Sequence, residues 1–183
     1  MIQYTIEQLH ELLNSGELDA KTYYKELLEE ANIQQDRLNA FVRITEDKAL
    51  DDLSSQDFKS ILSGIPFVAK DNYNTKGIHT TASSMMLDDY VPIYNATAIE
   101  KIHDAGACLI GKASLDELAM GGTNMSAKTG PVLNPWDTTR ISGGSSGGSA
   151  ALVASGLVPF ALASDTGDSI RKPAGYCLSL IHI

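Results

Sequence analysis

The chain has 183 residues, of which 43% are apolar and 20% charged; that is the composition of an ordinary soluble globular domain and excludes intrinsic disorder. A formal net charge of −9 speaks against this chain supplying the main grip on a nucleic acid, which needs clustered Lys and Arg. No apolar run reaches the ~18 residues of a membrane span, and Met1-Ile2-Gln3-Tyr4 has no signal-peptide character, so the cytoplasm is the expected compartment.

The elements follow in chain order. Thr5 and Gln8 fit a capping box ahead of Ile6, Leu9, Leu12 and Leu13, which keep helical spacing. A second helix is predicted over about 20–35, with Tyr23, Tyr24, Leu27, Leu28 and Ala31 inward. The two make a helical arm, residues 1–38. Residues 40–44 read as a short strand, and 65–70 as another with Pro66 at its tolerant start. After a polar loop holding Gly77, Thr80 and Thr81, Thr97 and Glu100 fit a capping box for a helix ending near Gly106. A strand over 107–110 follows, then a short helix capped by Ser114 and Glu117. A helix over 149–155 stops at Gly156, and 158–163 is an apolar strand. Alternating strands and helices imply an α/β fold with helices on both faces of a sheet.

Two cysteines, Cys108 and Cys177, make no disulfide framework and read as buried thiols. The histidines, His10, His79, His103 and His182, are scattered, and no spacing suggests a metal site.

The segment Ser142-Gly143-Gly144-Ser145-Ser146-Gly147-Gly148-Ser149 has several readings. A flexible linker fits the composition, but the segment lies inside the patterned region. A phosphate loop would end in Gly-Lys-Ser/Thr, which is missing. Gly143 to Gly147 also satisfies G-x-S-x-G, the nucleophile elbow, with Asp165 and His182 formally available as partners. Against that, residues 134–140 are no core strand, and His182 is the second-last residue.

The flanks favour a fourth reading. Gly64-Ile65-Pro66-Phe67-Val68-Ala69-Lys70-Asp71 and Gly130-Pro131-Val132-Leu133-Asn134-Pro135-Trp136 lie upstream. Ala163-Ser164-Asp165-Thr166-Gly167-Asp168-Ser169-Ile170-Arg171-Lys172-Pro173-Ala174 lies downstream. With the Gly/Ser segment these resemble the amidase-signature family, over nearly the whole chain to about Cys177. Within the family the likeness is strongest to the A subunits of glutamyl-tRNA(Gln) amidotransferases. The resemblance implies a mixed central sheet covered by helices on both faces, in a partial amidase-signature domain over 39–177.

It also implies chemistry. A serine hydroxyl needs a base, and no histidine sits near these motifs. The resemblance makes Ser169 the nucleophile, Ser145 the bridging serine and Lys70 the base. An ordinary lysine has a pKa of about 10.4; acting near pH ~7 requires burial to disfavour the ammonium. The backbone N–H groups of Thr166, Gly167 and Asp168 would form the oxyanion hole. Asp168 departs from the commoner glycine, so its carboxylate must point away from the oxyanion. Asp165 and Arg171 read as a pair that braces the loop. Met120 and Gly121 match a segment lining the substrate pocket.

By the same resemblance, the substrate is glutamine or another small amide. The partners are the B and C subunits of the amidotransferase, tRNA being bound mainly by a partner. The chain itself needs no cofactor or metal, and ATP and Mg belong to the partner. The match stops after Cys177, and relatives run to more than twice this length. Residues 178–183 are therefore expected to mark a truncated reading frame or a cloning or sequencing junction, and the truncated chain to have weak or absent activity; the alternative is a non-catalytic fragment that packs against partners through its N-terminal helices.

Overall fold

The computed structural model describes residues 4–178. Helix α1 (Ile6–Ser15) begins with the expected capping box: Gln8 N donates to Thr5 Oγ1 and Thr5 N donates to Gln8 Oε1. Helix α2 (Ala20–Leu38) is capped by Asp19 and ends at Asn39 in the left-handed region, three residues past the expected end. Its predicted inward residues are all buried, and Tyr24 Oη donates to Gly64 O at 3.0 Å. The apolar faces of α1 and α2 share one core with Ile65, Val68 and Ile110.

The sheet contains β1 (Phe41–Ile44), β2 (Pro66–Lys70), β3 (Cys108–Ala113) and β4 (Phe160–Leu162), in the order β1-β3-β2-β4. β2 runs parallel to both β3 and β4, while β1 is antiparallel to β3, so the sheet is mixed as expected. Every residue of β2 and β3 is buried. One face, with Val68 and Ile110, packs against α2 and α5 (Gly147–Ala154). The other, with Phe67, Ala69 and Leu109, packs against Ile99 of α4 (Thr97–Asp104). Side chains alternate along a strand, but the register of β3 against β2 slips past Ile110, between the Phe67–Leu109 and Val68–Gly111 pairs, so that Ala69 stands beside Lys112 and Lys70 beside Ala113. Lys70 therefore belongs to the α5 face and Lys112 to the α4 face.

Several expectations are corrected. Thr97 is the first residue of α4 rather than its cap; Ala96 holds the cap position, with its N–H donating to Asn74 O at 2.8 Å. Ser114 and Glu117 cap no helix. Ser114 Oγ pairs with Thr129 Oγ1, and only a single 3-10 turn (Glu117–Ala119) forms, because Leu118 takes φ 53°. Helix α5 starts two residues before the expected position: Asn124 Oδ1 accepts the Gly147 N–H at 2.9 Å, a cap supplied from 23 residues upstream. β4 is limited to three residues. Two short helices were not anticipated, α3 (Glu46–Ser54) and α6 (Arg171–Tyr176). Pro173 is tolerated in α6 because it lies in the first turn, where N–H groups have no intrahelical acceptor. Cys108 and Cys177 are buried and free.

Candidate active site

Lys70 ends β2 with its side chain fully buried. Its Nζ donates to Ser145 Oγ at 2.8 Å, to Ser164 Oγ at 2.9 Å and to Ser164 O at 3.3 Å. Burial pushes the Lys70 pKa down to about 8, against the opposing charges of Asp116 and Asp165. That is the direction a lysine base requires.

A second buried lysine provides the contrast. Lys112 Nζ lies 3.2 Å from Asp71 Oδ1 and donates to Tyr73 O and Thr80 Oγ1. Burial lowers its pKa too, but a carboxylate in contact opposes the loss of its proton. The hydrogen-bond partners of Lys70 are two hydroxyls and a carbonyl, groups that tolerate a neutral amine.

Ser145 lies just before α5, fully buried, and the Gly144–Ser145 peptide is cis. Its carbonyl accepts the Asp116 N–H at 3.1 Å. Ser169 comes to the same place from the loop before α6. Ser146 N donates to Ser169 O at 3.0 Å, and Ser146 Oγ donates to Ser164 O at 3.1 Å, so one residue clamps both segments. Ser169 keeps 8% of its surface exposed. Among the described residues no side-chain hydrogen bond joins Ser169 to Ser145; only Lys70 and Ser145 are joined directly.

The loop between them is braced as expected. Asp165 Oδ2 accepts from Arg171 Nε and from the backbone N–H groups of Ile170 and Arg171, and Oδ1 accepts from Arg171 Nη2. The Arg171 guanidinium holds the Asp165 carboxyl well below the usual carboxylate range. Arg171 Nη2 also donates to Gly167 O. The N–H groups of Thr166, Gly167 and Asp168 have no acceptor among the described residues, and Thr166 and Gly167 are exposed. The Asp168 carboxylate is drawn to Lys172 Nζ, 2.6 Å away. Met120 is 81% exposed, which removes a core role for it. Gly121 lies against the Asp116 carboxylate, and Gly122 against Lys172 Nζ.

Ser164 and Asp116 were missed by the sequence reading. Ser164 stood inside a quoted motif without a role, and Asp116 lies in the Ser114–Glu117 stretch read as a helix start. The nucleophile-elbow reading loses its strand: residues 134–140 form turns, and Ser145 Oγ meets Lys70. His182 lies outside the described residues. Among the described residues no cluster of His, Cys, Asp and Glu could hold a metal ion, and no helix is long and apolar enough to cross a membrane.

The profile of the family described as Amidase matches residues 23–179. The A subunit of glutamyl-tRNA(Gln) amidotransferase from Exiguobacterium sp. is 45% identical over 182 residues, covering 97% of this chain and 38% of that protein. The protein of the same name from Oenococcus oeni is 47% identical over 176 residues, covering 93% and 36%. Among solved structures, the A subunit of the amidotransferase from Thermotoga maritima superposes with a TM-score of 0.79 at 37% identity, covering 96% of this chain and 37% of that one. The peptide amidase of Stenotrophomonas maltophilia superposes with a TM-score of 0.89 at 30% identity, covering 96% and 39%. The chain thus spans 38% and 36% of the length of these two curated relatives.

Proposed function

Because the chain belongs to the Amidase family, we propose that it carries the acyl-transfer centre of an amide hydrolase, with Lys70, Ser145 and Ser169 as the reacting set. The observation that carries this reading is the buried bond from Lys70 Nζ to Ser145 Oγ, made by a lysine whose hydrogen-bond partners among the described residues include no carboxylate. Neutral Lys70 takes the Ser145 proton while Ser145 Oγ takes that of Ser169. Ser169 Oγ attacks the carboxamide carbon, and the oxygen that gains charge meets the N–H groups of Thr166, Gly167 and Asp168. The Ser145–Ser169 contact closes as substrate enters, since hydrogen bonds of this kind tighten in the bound complex. The C–N bond then breaks, the relay returns the proton to the departing ammonia, and water releases the acyl group by the same path.

The similarity to amidotransferase A subunits supports glutamine as the amide; in this reading the chain assembles with B and C subunits, and the ammonia passes to a partner that binds tRNA and uses ATP and Mg. The cytoplasm is the matching compartment. A second reading, a stand-alone amidase for small carboxamides, is supported by the superpositions on peptide amidase and on 6-aminohexanoate cyclic dimer hydrolase, the latter at a TM-score of 0.90. Co-purification with a tRNA-binding partner favours the first reading. Ser169→Ala tests the centre itself: it should abolish ammonia release from glutamine and from simple amides, and retained hydrolysis would refute the assignment.

A further inference from the structure

We infer that Asp116 is a positioning residue of this centre: its backbone N–H holds Ser145, and its buried carboxylate lies against the Gly144–Ser145 peptide, beside the serine that Lys70 binds. The inference rests on the reading of Lys70 and Ser145 given above. Asp116 is buried at the start of the turn after β3. Its N–H donates to Ser145 O at 3.1 Å. Its Oδ2 accepts from Thr123 N at 3.1 Å and Asn124 N at 2.9 Å, and its Oδ1 accepts from Ser126 Oγ at 2.9 Å. Asn124 in turn accepts the Gly147 N–H that opens α5. One residue, by its backbone N–H and its side chain together, therefore ties the Ser145 peptide to the loop that starts α5.

The fit is close. A Cβ at Gly144 would stand 2.1 Å from Asp116 Oδ2, and one at Gly121 would stand 2.4 Å from Asp116 Cγ. Glycine is required at both positions so that backbone and carboxylate can touch.

The charge matters as much as the bonds. The groups that face Lys70 are Ser145, Ser164, Asp116 and Asp165. Asp165 is answered by the forked Arg171 pair. Asp116 forms no salt bridge among the described residues. Both carboxylates favour the lysine's ammonium, the form Lys70 takes when it receives the serine proton. Asp116 thus acts on Lys70 at one remove: it positions Ser145, the lysine's partner, and its charge favours the protonated base.

Asp116→Asn keeps an acceptor for the two N–H groups and removes the charge. Ser126→Ala removes the hydroxyl's bond to the carboxylate and the one it accepts from Glu117 N, and keeps the charge. The readouts are the pH profiles of glutamine hydrolysis and of Ser169 sulfonylation by phenylmethanesulfonyl fluoride. In Asp116→Asn the acid limb should move to lower pH by about half a unit to one unit, with a plateau about tenfold lower. Ser126→Ala should leave the limb in place. Gly144→Ala, which displaces the carboxylate without deleting it, should move the limb in the same direction as Asp116→Asn. An unmoved limb in whichever of those two variants folds, or an equal movement in Ser126→Ala, overturns the inference. Lys70→Met separates the two readings. Activity retained in that variant sinks the proposed centre, whereas its loss beside an unmoved Asp116→Asn limb sinks only the role of Asp116.

Discussion

Lys70 Nζ and Ser145 Oγ lie 2.8 Å apart across 75 residues of sequence, in a part of the protein closed to solvent. The bond links the last residue of a central strand to the residue just before a helix. Its strength and its surroundings set four measurable properties of the protein.

Lys70→Met keeps the stem of the side chain and removes the base. Hydrolysis of glutamine should fall by about 10²–10⁴ in kcat, the range of a lost general base. Stability should not fall, because a buried amine with no contacting carboxylate is replaced by an apolar group of similar volume. Steady-state kinetics and thermal unfolding of the same variant check both halves. A melting point well below wild type would mean that Lys70 stabilises the fold.

The pH dependence has a defined sign. Burial lowers the Lys70 pKa from 10.5 to about 8 in the folded chain. Activity should therefore rise with pH through about 8, as the neutral amine becomes available. Between pH 8 and 10.5 the unfolded chain holds this proton and the folded chain does not, so stability rises with pH across that window. The full span amounts to about 3 kcal/mol. Comparing denaturant midpoints of wild type and Lys70→Met through the window measures it, and a parallel pair of curves would contradict the assignment.

The other buried lysine should behave in the opposite way. Asp71→Asn strips Lys112 of its carboxylate and leaves the charge uncompensated, although Tyr73 O and Thr80 Oγ1 remain. The expected loss is about 3–5 kcal/mol. Adding Lys112→Met should recover most of it, because the unpaired charge then disappears with its partner. Urea unfolding of the single and double variants decides the matter; equal loss in both would show that Asp71 acts through Thr81 instead, whose N–H and hydroxyl it also accepts.

Asp168 and Lys172 form a partly exposed pair, which solvent screening leaves with little weight in stability, but it keeps the carboxylate of Asp168 engaged beside three N–H groups. Lys172→Met should lower kcat for amide hydrolysis about five- to tenfold with little change in melting temperature. Asp168→Gly in the same chain should restore the rate. Failure of that rescue would mean that Lys172 matters for its contact with Gly122 instead.

The parts legible in the sequence share a physical trait: they are set by neighbours in the chain. The capping box of α1 spans Thr5 to Gln8, and the continuous apolar run of β2 marks a strand buried on both faces. The same kind of pattern misled at Thr97 and Glu100, where Ala96 takes the cap position, and at Ser114, whose hydroxyl turns to Thr129. The start of α5 could not be read locally because Asn124 supplies it. Ser164 carried no signal of its own, since a serine in a loop ordinarily bonds nearby backbone.

The residues themselves, Lys70, Ser145, Ser169, Asp165 and Arg171, were all present in the linear motifs, and Asp165 and Arg171 read as a pair there because they flank Ser169 with opposite charges. Lys70 was singled out in the sequence by its family motif alone; periodicity and composition do not tell it from Lys112. Both sit near the end of an apolar strand, both are fully buried, and burial lowers the pKa of both. The register of β2 against β3 sends them to opposite faces of the sheet. One face brings a carboxylate, and the lysine there becomes half of an ion pair. The other brings hydroxyls from loops 75 and 94 residues away, and the lysine there can lose its proton. The family motif pointed to Lys70; only the tertiary structure, by choosing partners far away in the chain, set one desolvated lysine against a carboxylate and the other against hydroxyls.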